Sequence, residues 1–102
     1  MNEACPVTKI LGCLSKKWAL LILRELRAGR ARRFNELLKG MLGVSPRTLS
    51  KRLKELEEKG LVSRKRFDEI PPRVEYSLTG KGKALISCFK HLDGWAKKFG
   101  SE

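Results

Sequence analysis

At 102 residues, 41% apolar and 33% charged, with 9 glycines and 4 prolines, the chain can build one modest core, is too short for two domains, and is not fibrous or disordered. Its net charge is +12, and residues 30–66 hold 12 Lys or Arg against 4 Glu, net +8, a concentration that marks a polyanion binder. Three widely spaced cysteines and a single histidine exclude a disulfide framework and a zinc site.

In chain order, the start MNEACPVTK shows no signal-peptide pattern, and residues 1–6 read as a short arm ending at the Cys5-Pro6 step. Val7, Ile10, Leu11 and Leu14 share a face and predict a short helix, with Lys9 and Lys16 opposite. WALLILREL, residues 18–26, is apolar at nearly every position, so periodicity assigns no face. Its helix formers favour a buried helix, polar only at Arg24, Glu25 and Arg27, and ended by Gly29. Ala31 to Arg33 reads as a basic linker. Phe34 is an apolar anchor, Asn35 the expected N-cap, and ELLKGM a helix offering Leu37, Leu38 and Met41 to the core. Gly43 supplies a tight turn into the next helix.

That next helix, VSPRTLSKRLKELEEKGL from Val44 to Leu61, organises the rest. Ser45 is its N-cap, Pro46 opens it and Gly60 closes it. Leu49, Leu53 and Leu56 define one face, and Arg47, Lys51 and Lys54 point the other way, with Ser50 and Arg52 on the flanks. Bases lie early and Glu55, Glu57 and Glu58 late, against the preference of the helix dipole. This order suits a helix that aims its N-terminal half at a polyanion, so Ser45, Arg47, Thr48, Lys51 and Arg52 are expected in a DNA major groove. Two helices joined by a few residues, the second one basic, have helix-turn-helix spacing.

After Gly60 the period changes to that of strands. LVSRKRF (61–67) and RVEYSL (73–78), separated by DEIPP, predict a hairpin made basic by Arg64, Lys65, Arg66 and Arg73. Asp68 and Glu69 at its tip oppose phosphate contact, so the hairpin is expected to enter a groove at an angle or stop short of its floor. Thr79 caps a helix from about Lys81 to Phe99, on which Leu85, Cys88, Phe89, Leu92, Trp95, Ala96 and Phe99 form one stripe. A small domain cannot cover a stripe that long, which points to a second subunit. Trp18, Tyr76 and Trp95 fall in apolar patterns and read as core or interface, and His91 as surface.

CPV (5–7), KW (17–18), LLILREL (20–26), RRFNEL (32–37), SPRTLSKRLKELEEKGLV (45–62) and IPPRVEYSLTGKG (70–82) together resemble HxlR-type transcriptional regulators, relatives of the MarR group, over nearly the whole chain. The resemblance implies a mainly α fold with a small β-hairpin wing, a winged helix-turn-helix with N- and C-terminal dimerisation helices. It also implies a homodimer bound to an inverted repeat. Some such regulators sense electrophiles or disulfide stress through a cysteine near the N-terminus, whose place here is Cys5. The residues themselves leave Cys5 open between an ordinary free thiol and a sensor. One departure stands out: where the family often shows Gly-Gly-Lys-Trp, this chain has Ser15-Lys16-Lys17-Trp18.

The expected organisation is one domain over 1–102, with the helix-turn-helix at about 35–59, the wing at about 61–78 and a dimerisation helix at about 80–99. Expected DNA-binding residues are Arg33, Ser45, Arg47, Thr48, Ser50, Lys51, Arg52, Lys54, Arg64, Arg66 and Arg73. Expected interface residues are Leu11, Leu85, Phe89, Leu92, Trp95 and Phe99, with Cys5 as the candidate redox-sensing thiol. The expected partners are double-stranded DNA, a second copy and a small electrophile or oxidant, with no membrane, metal or cofactor and a cytoplasmic location. The function read from this is a sequence-specific transcriptional regulator, with an architectural or weakly specific DNA-binding protein as the alternative. No paired carboxylates, phosphate loop or nucleophile-base pair suggests an enzyme.

Overall fold

The structure, a computed structural model, describes residues 6–28 and 30–100, with Pro6 and Val7 described by their backbone alone. Expectations for Cys5, the Val7 side chain and Gly29 lie outside the described residues. The elements run α1 (Pro6–Leu14), α2 (Ala19–Leu26), β1 (Arg32–Arg33), α3 (Phe34–Gly40), α4 (Pro46–Glu58), β2 (Val62–Phe67), β3 (Arg73–Leu78) and α5 (Gly80–Phe99).

The core is a cluster of aliphatic side chains drawn from every helix except α5. Leu14, Ile22, Leu23, Leu26, Leu37, Met41, Leu49, Leu53 and Leu56 are buried, and Leu61, Val62 and Leu78 close it from the sheet. On α2 the uniform apolar run resolves into a buried face at Ala19, Ile22, Leu23 and Leu26, while Leu20 and Leu21 remain exposed. Cys13, rather than Leu11, joins Leu14 in the core from α1.

Between α1 and α2 the chain turns through Ser15–Trp18, and the left-handed residue there is Trp18 itself, at φ 81°. Ser15 and Lys16 therefore have no need of glycine, which accounts for the departure from Gly-Gly-Lys-Trp. A bulky residue in this region costs about 1–2 kcal/mol. Packing of the indole against the core and over Gly43 holds it there, and a Cβ added at Gly43 would lie 3.5 Å from the ring.

The sheet has three strands in the order β1-β3-β2, all antiparallel. The expected linker at Arg32–Arg33 is thus a short edge strand, pairing with Tyr76 and Glu75. Nor is Asn35 the cap of α3: Arg33 takes the N-cap position, two residues earlier, and the helix begins at Phe34. The Glu36 carboxylate accepts the Arg33 backbone N–H at 2.9 Å, and that bond holds the carboxyl below the usual range.

α4 ends as its Gly60 suggests. With Gly60 at φ 77°, Gly60 N–H donates to the Glu57 carbonyl (2.9 Å) and Leu61 N–H to the Leu56 carbonyl (3.0 Å), the double closure of a Schellman motif. The Thr79 hydroxyl then locks α4, β2 and α5 together. It donates to the Gly60 carbonyl at 2.6 Å and accepts from Gly82 N–H at 3.0 Å, while Thr79 N–H donates to the Leu61 carbonyl at 3.1 Å. Gly82 lies so close to the Leu61 carbonyl that any Cβ there would collide with it.

Candidate nucleic-acid interface

The outward face of α4 is set by its inward one. With Leu49, Leu53 and Leu56 fully buried, a 3.6-residue period turns Arg47, Ser50, Lys51 and Lys54 to the outside, and all four are exposed. The helix start is pinned by its own side chains. Thr48 N–H donates to Ser45 Oγ at 3.1 Å, and Ser45 Oγ donates to Thr48 Oγ1 at 3.0 Å. Since the Ser45 proton points at Thr48, the Thr48 hydroxyl keeps its own proton for an outside acceptor such as a phosphate oxygen.

Arg52 does not join this row. Its Nε donates to the Lys17 carbonyl at 2.9 Å and its Nη1 meets Glu55 Oε1 at 3.0 Å, with the side chain 17% exposed. One helical step off the outer row, its guanidinium reaches the α1–α2 turn. Glu55 completes the contact by accepting Lys16 Nζ at 2.8 Å. Its carboxyl is held below the usual range, first by the Lys16 hydrogen bond and then, against the opposing effect of burial, by Arg52. One late glutamate of the charge gradient is thus a strut to the helix's neighbours.

In the wing, directly paired residues share a face. Val62 with Leu78, Arg64 with Tyr76, and Arg66 with Val74 lie on the core side. Ser63 with Ser77, Lys65 with Glu75, and Phe67 with Arg73 lie on the other. Arg64, Lys65 and Arg66 are exposed along β2, and Arg33 is exposed on β1. Arg73 is bonded within the hairpin. Its guanidinium lies 4.1 Å from the centre of the Phe67 ring, with Glu69 at 3.1 Å and Glu75 at 3.3 Å. These contacts brace the hairpin at the base of its loop.

α5 divides lengthwise. Leu85, Ile86 and Phe89 pack against the core, whereas Leu92, Trp95 and Phe99 are 57–61% exposed, with the Trp95 and Phe99 rings 5.7 Å apart. Leu11 is exposed on α1. Cys88, expected to pack, is exposed too, its thiol directed at the Ala84 carbonyl at 3.6 Å. Cys13 is buried, and burial, with help from Glu55, pushes its thiol pKa up. Among the described residues no cluster of His, Cys, Asp and Glu could hold a metal, and no helix is long and apolar enough to cross a membrane.

A capped basic helix, a preceding helix at a tight turn and a basic hairpin after it match known proteins as a set. The HxlR-like helix-turn-helix family matches residues 13–102. The chain belongs to that family. Among its HxlR-like relatives, the transcriptional regulator YvaP of Bacillus subtilis is 43% identical over 99 residues, covering 96% of this chain and 91% of YvaP. The regulator YodB of the same organism is 37% identical over 99 residues, covering 96% and 88%. The crystal structure of a MarR-family regulator from Porphyromonas gingivalis superposes with a TM-score of 0.86 at 35% identity, covering 97% and 96%. The reduced form of YodB gives 0.83 at 38% identity, covering 93% of each chain, and the redox regulator HypR in its oxidised form gives 0.81 at 33%, covering 92% and 96%. This HxlR-like chain is a helix-turn-helix transcriptional regulator with a winged fold, and its relatives are regulators rather than enzymes.

Proposed function

We propose that the protein is a homodimeric, sequence-specific regulator that binds an inverted repeat in double-stranded DNA, in the cytoplasm. The observation that carries this reading is the exposed row Arg47, Ser50, Lys51 and Lys54 on a helix whose opposite face is fully buried. Arg47 is the base reader, since its fork can take guanine O6 and N7 together. Ser45, Thr48 and the start of α4 hold phosphate, with Ser50, Lys51 and Lys54 alongside. Arg33, Arg64 and Arg66 hold the flanking backbone. The dimer joins the uncovered end of α5, at Leu92, Trp95 and Phe99, to its copy, with Leu85, Phe89 and Leu11 supporting it. Cys5 is the thiol input, and an oxidant or electrophile there weakens DNA binding. Support for that input comes from the family position of Cys5 and from relatives such as HypR, described as a redox regulator.

Selection of genomic fragments by the purified protein, with and without diamide, tests the reading. A single palindromic consensus that is lost on oxidation is expected. Uniform recovery of all fragments would mean an architectural protein instead. Since Cys88 is exposed, the oxidation arm needs Cys88→Ser beside Cys5→Ser: protection by Cys5→Ser alone is the expected outcome.

A further inference from the structure

The tip of the wing carries the most exposed large apolar side chain described. Ile70 is as open as in an extended peptide, at 102%, and Pro71 and Pro72 beside it are exposed as well. Single exposed aliphatics are ordinary on a protein surface, but three contiguous exposed apolar residues at the end of a hairpin are not. Two features stiffen the tip. The proline rings fix two successive φ angles. Below them Arg73 clamps Phe67, Glu69 and Glu75 together, so the loop stands on a braced base.

The surroundings identify what could cover this tip. Arg64, Lys65 and Arg66 run exposed along the strand that leads to it, and Glu69, one of the two tip carboxylates, is already matched by Arg73. A stiff apolar point behind a row of cations suits a surface with charged rims and an apolar interior. The DNA minor groove is such a surface, with phosphates on either side and sugars and base edges within, and apolar wedges such as Ile and Pro can enter a base step there and partly unstack it.

We propose that Ile70, backed by Pro71 and Pro72, is a wedge that enters the minor groove flanking each half-site and kinks the duplex there. This rests on the DNA-binding reading above. The basic residues of β2 hold the phosphates on either side, and the wedge adds a preference for flexible pyrimidine-purine steps at positions that no polar side chain reads.

The test uses the full chain and an operator recovered by the genomic selection, labelled at both ends for energy transfer and carrying 2-aminopurine at successive flanking steps. Wild type is expected to bend the DNA by roughly 20–90° and to brighten 2-aminopurine at one step per half-site. Ile70→Ala should abolish the bright step and straighten the DNA, keep the half-site consensus, and weaken binding by about tenfold or less. Ile70→Lys separates wedge from charge: the added cation should restore affinity without restoring the bend. Straight DNA under a wild-type protein that binds selectively overturns the wedge alone, as does a bend that survives both substitutions, and leaves a protein partner to cover the tip. Absence of selective binding by wild type overturns the DNA-binding reading and the wedge together.

Discussion

Arg47 and Arg52 stand on one helix, five residues apart, with the same charge and unequal freedom. Among the described residues Arg47 has no ion-pair or hydrogen-bond partner, whereas Arg52 is held by the Lys17 carbonyl and Glu55. Removing Arg47 should therefore relax preference at one base pair per half-site, by about 1–3 kcal/mol against the preferred base. Lys54→Ala should weaken all sequences alike and reduce the salt slope by about one. Isotherms on operator and scrambled DNA across a salt series separate the two, and identical behaviour would mean that the helix is rolled differently. Arg52→Ala should lower thermal stability and leave the salt slope unchanged. The outer row was legible in the sequence because helical periodicity reports which residues point away from leucine. The binding of Arg52 was not, because its partner carbonyl lies 35 residues away and no local pattern encodes it. The bracing contacts of Arg73 were hidden for a related reason: its partners are near in sequence, but only strand pairing brings Phe67 opposite it.

Elements with strong local signals were read well, the β2–β3 hairpin among them, and the one strand that only pairing makes, β1, was missed. Ser45, Pro46 and Gly60 mark α4 to within a residue, and Thr79 marks the start of α5. β1 is two residues long and exists only because Tyr76 and Glu75 offer it an edge, so nothing within Arg32–Arg33 announces a strand. The contact between α4 and the α1–α2 turn gives a pH-dependent test. The Glu55 carboxyl is depressed in the folded chain, so its stabilisation is complete above the ordinary carboxylate range, about 4.3. It fades as pH falls through the lower folded value. Glu55→Gln should thus unfold at a lower temperature than wild type near neutrality, and the gap should close below about pH 4. Melts from pH 3 to 7 check this, and a gap that does not change with pH would assign the loss to packing. Gly82→Ala should cost about 1–3 kcal/mol, because the Leu61 carbonyl must move to admit a methyl group.

For the whole molecule, the unresolved debt is on α5. Leu92, Trp95 and Phe99 lie open to water, and among the described residues nothing covers them. Replacing Trp95 and Phe99 together by Ala should shift sedimentation from dimer to monomer while leaving the helical signal of the core intact. A double variant that stays dimeric and binds its operator normally would place the interface elsewhere. The overall charge acts at this scale too: at +12 the chain should associate with DNA rapidly at low salt and much more slowly as salt rises. Composition alone announced that property, whereas the stripe on α5 announced only that something covers it.

Between β3 and α5 the chain has a single residue, Thr79, and its hydroxyl ties the end of α4 to the start of α5. A joint of one bonded residue has little compliance. In the proposed dimer the two reading helices would then behave like the jaws of a caliper with a fixed opening. Duplex DNA rotates once in about 10.5 base pairs, so each base pair added between half-sites turns the far one out of reach as well as moving it away. A supple linker would let binding recover when a whole turn is inserted. This joint should not: affinity should fall steeply with each base pair added or removed and stay low when the spacer has grown by a full turn.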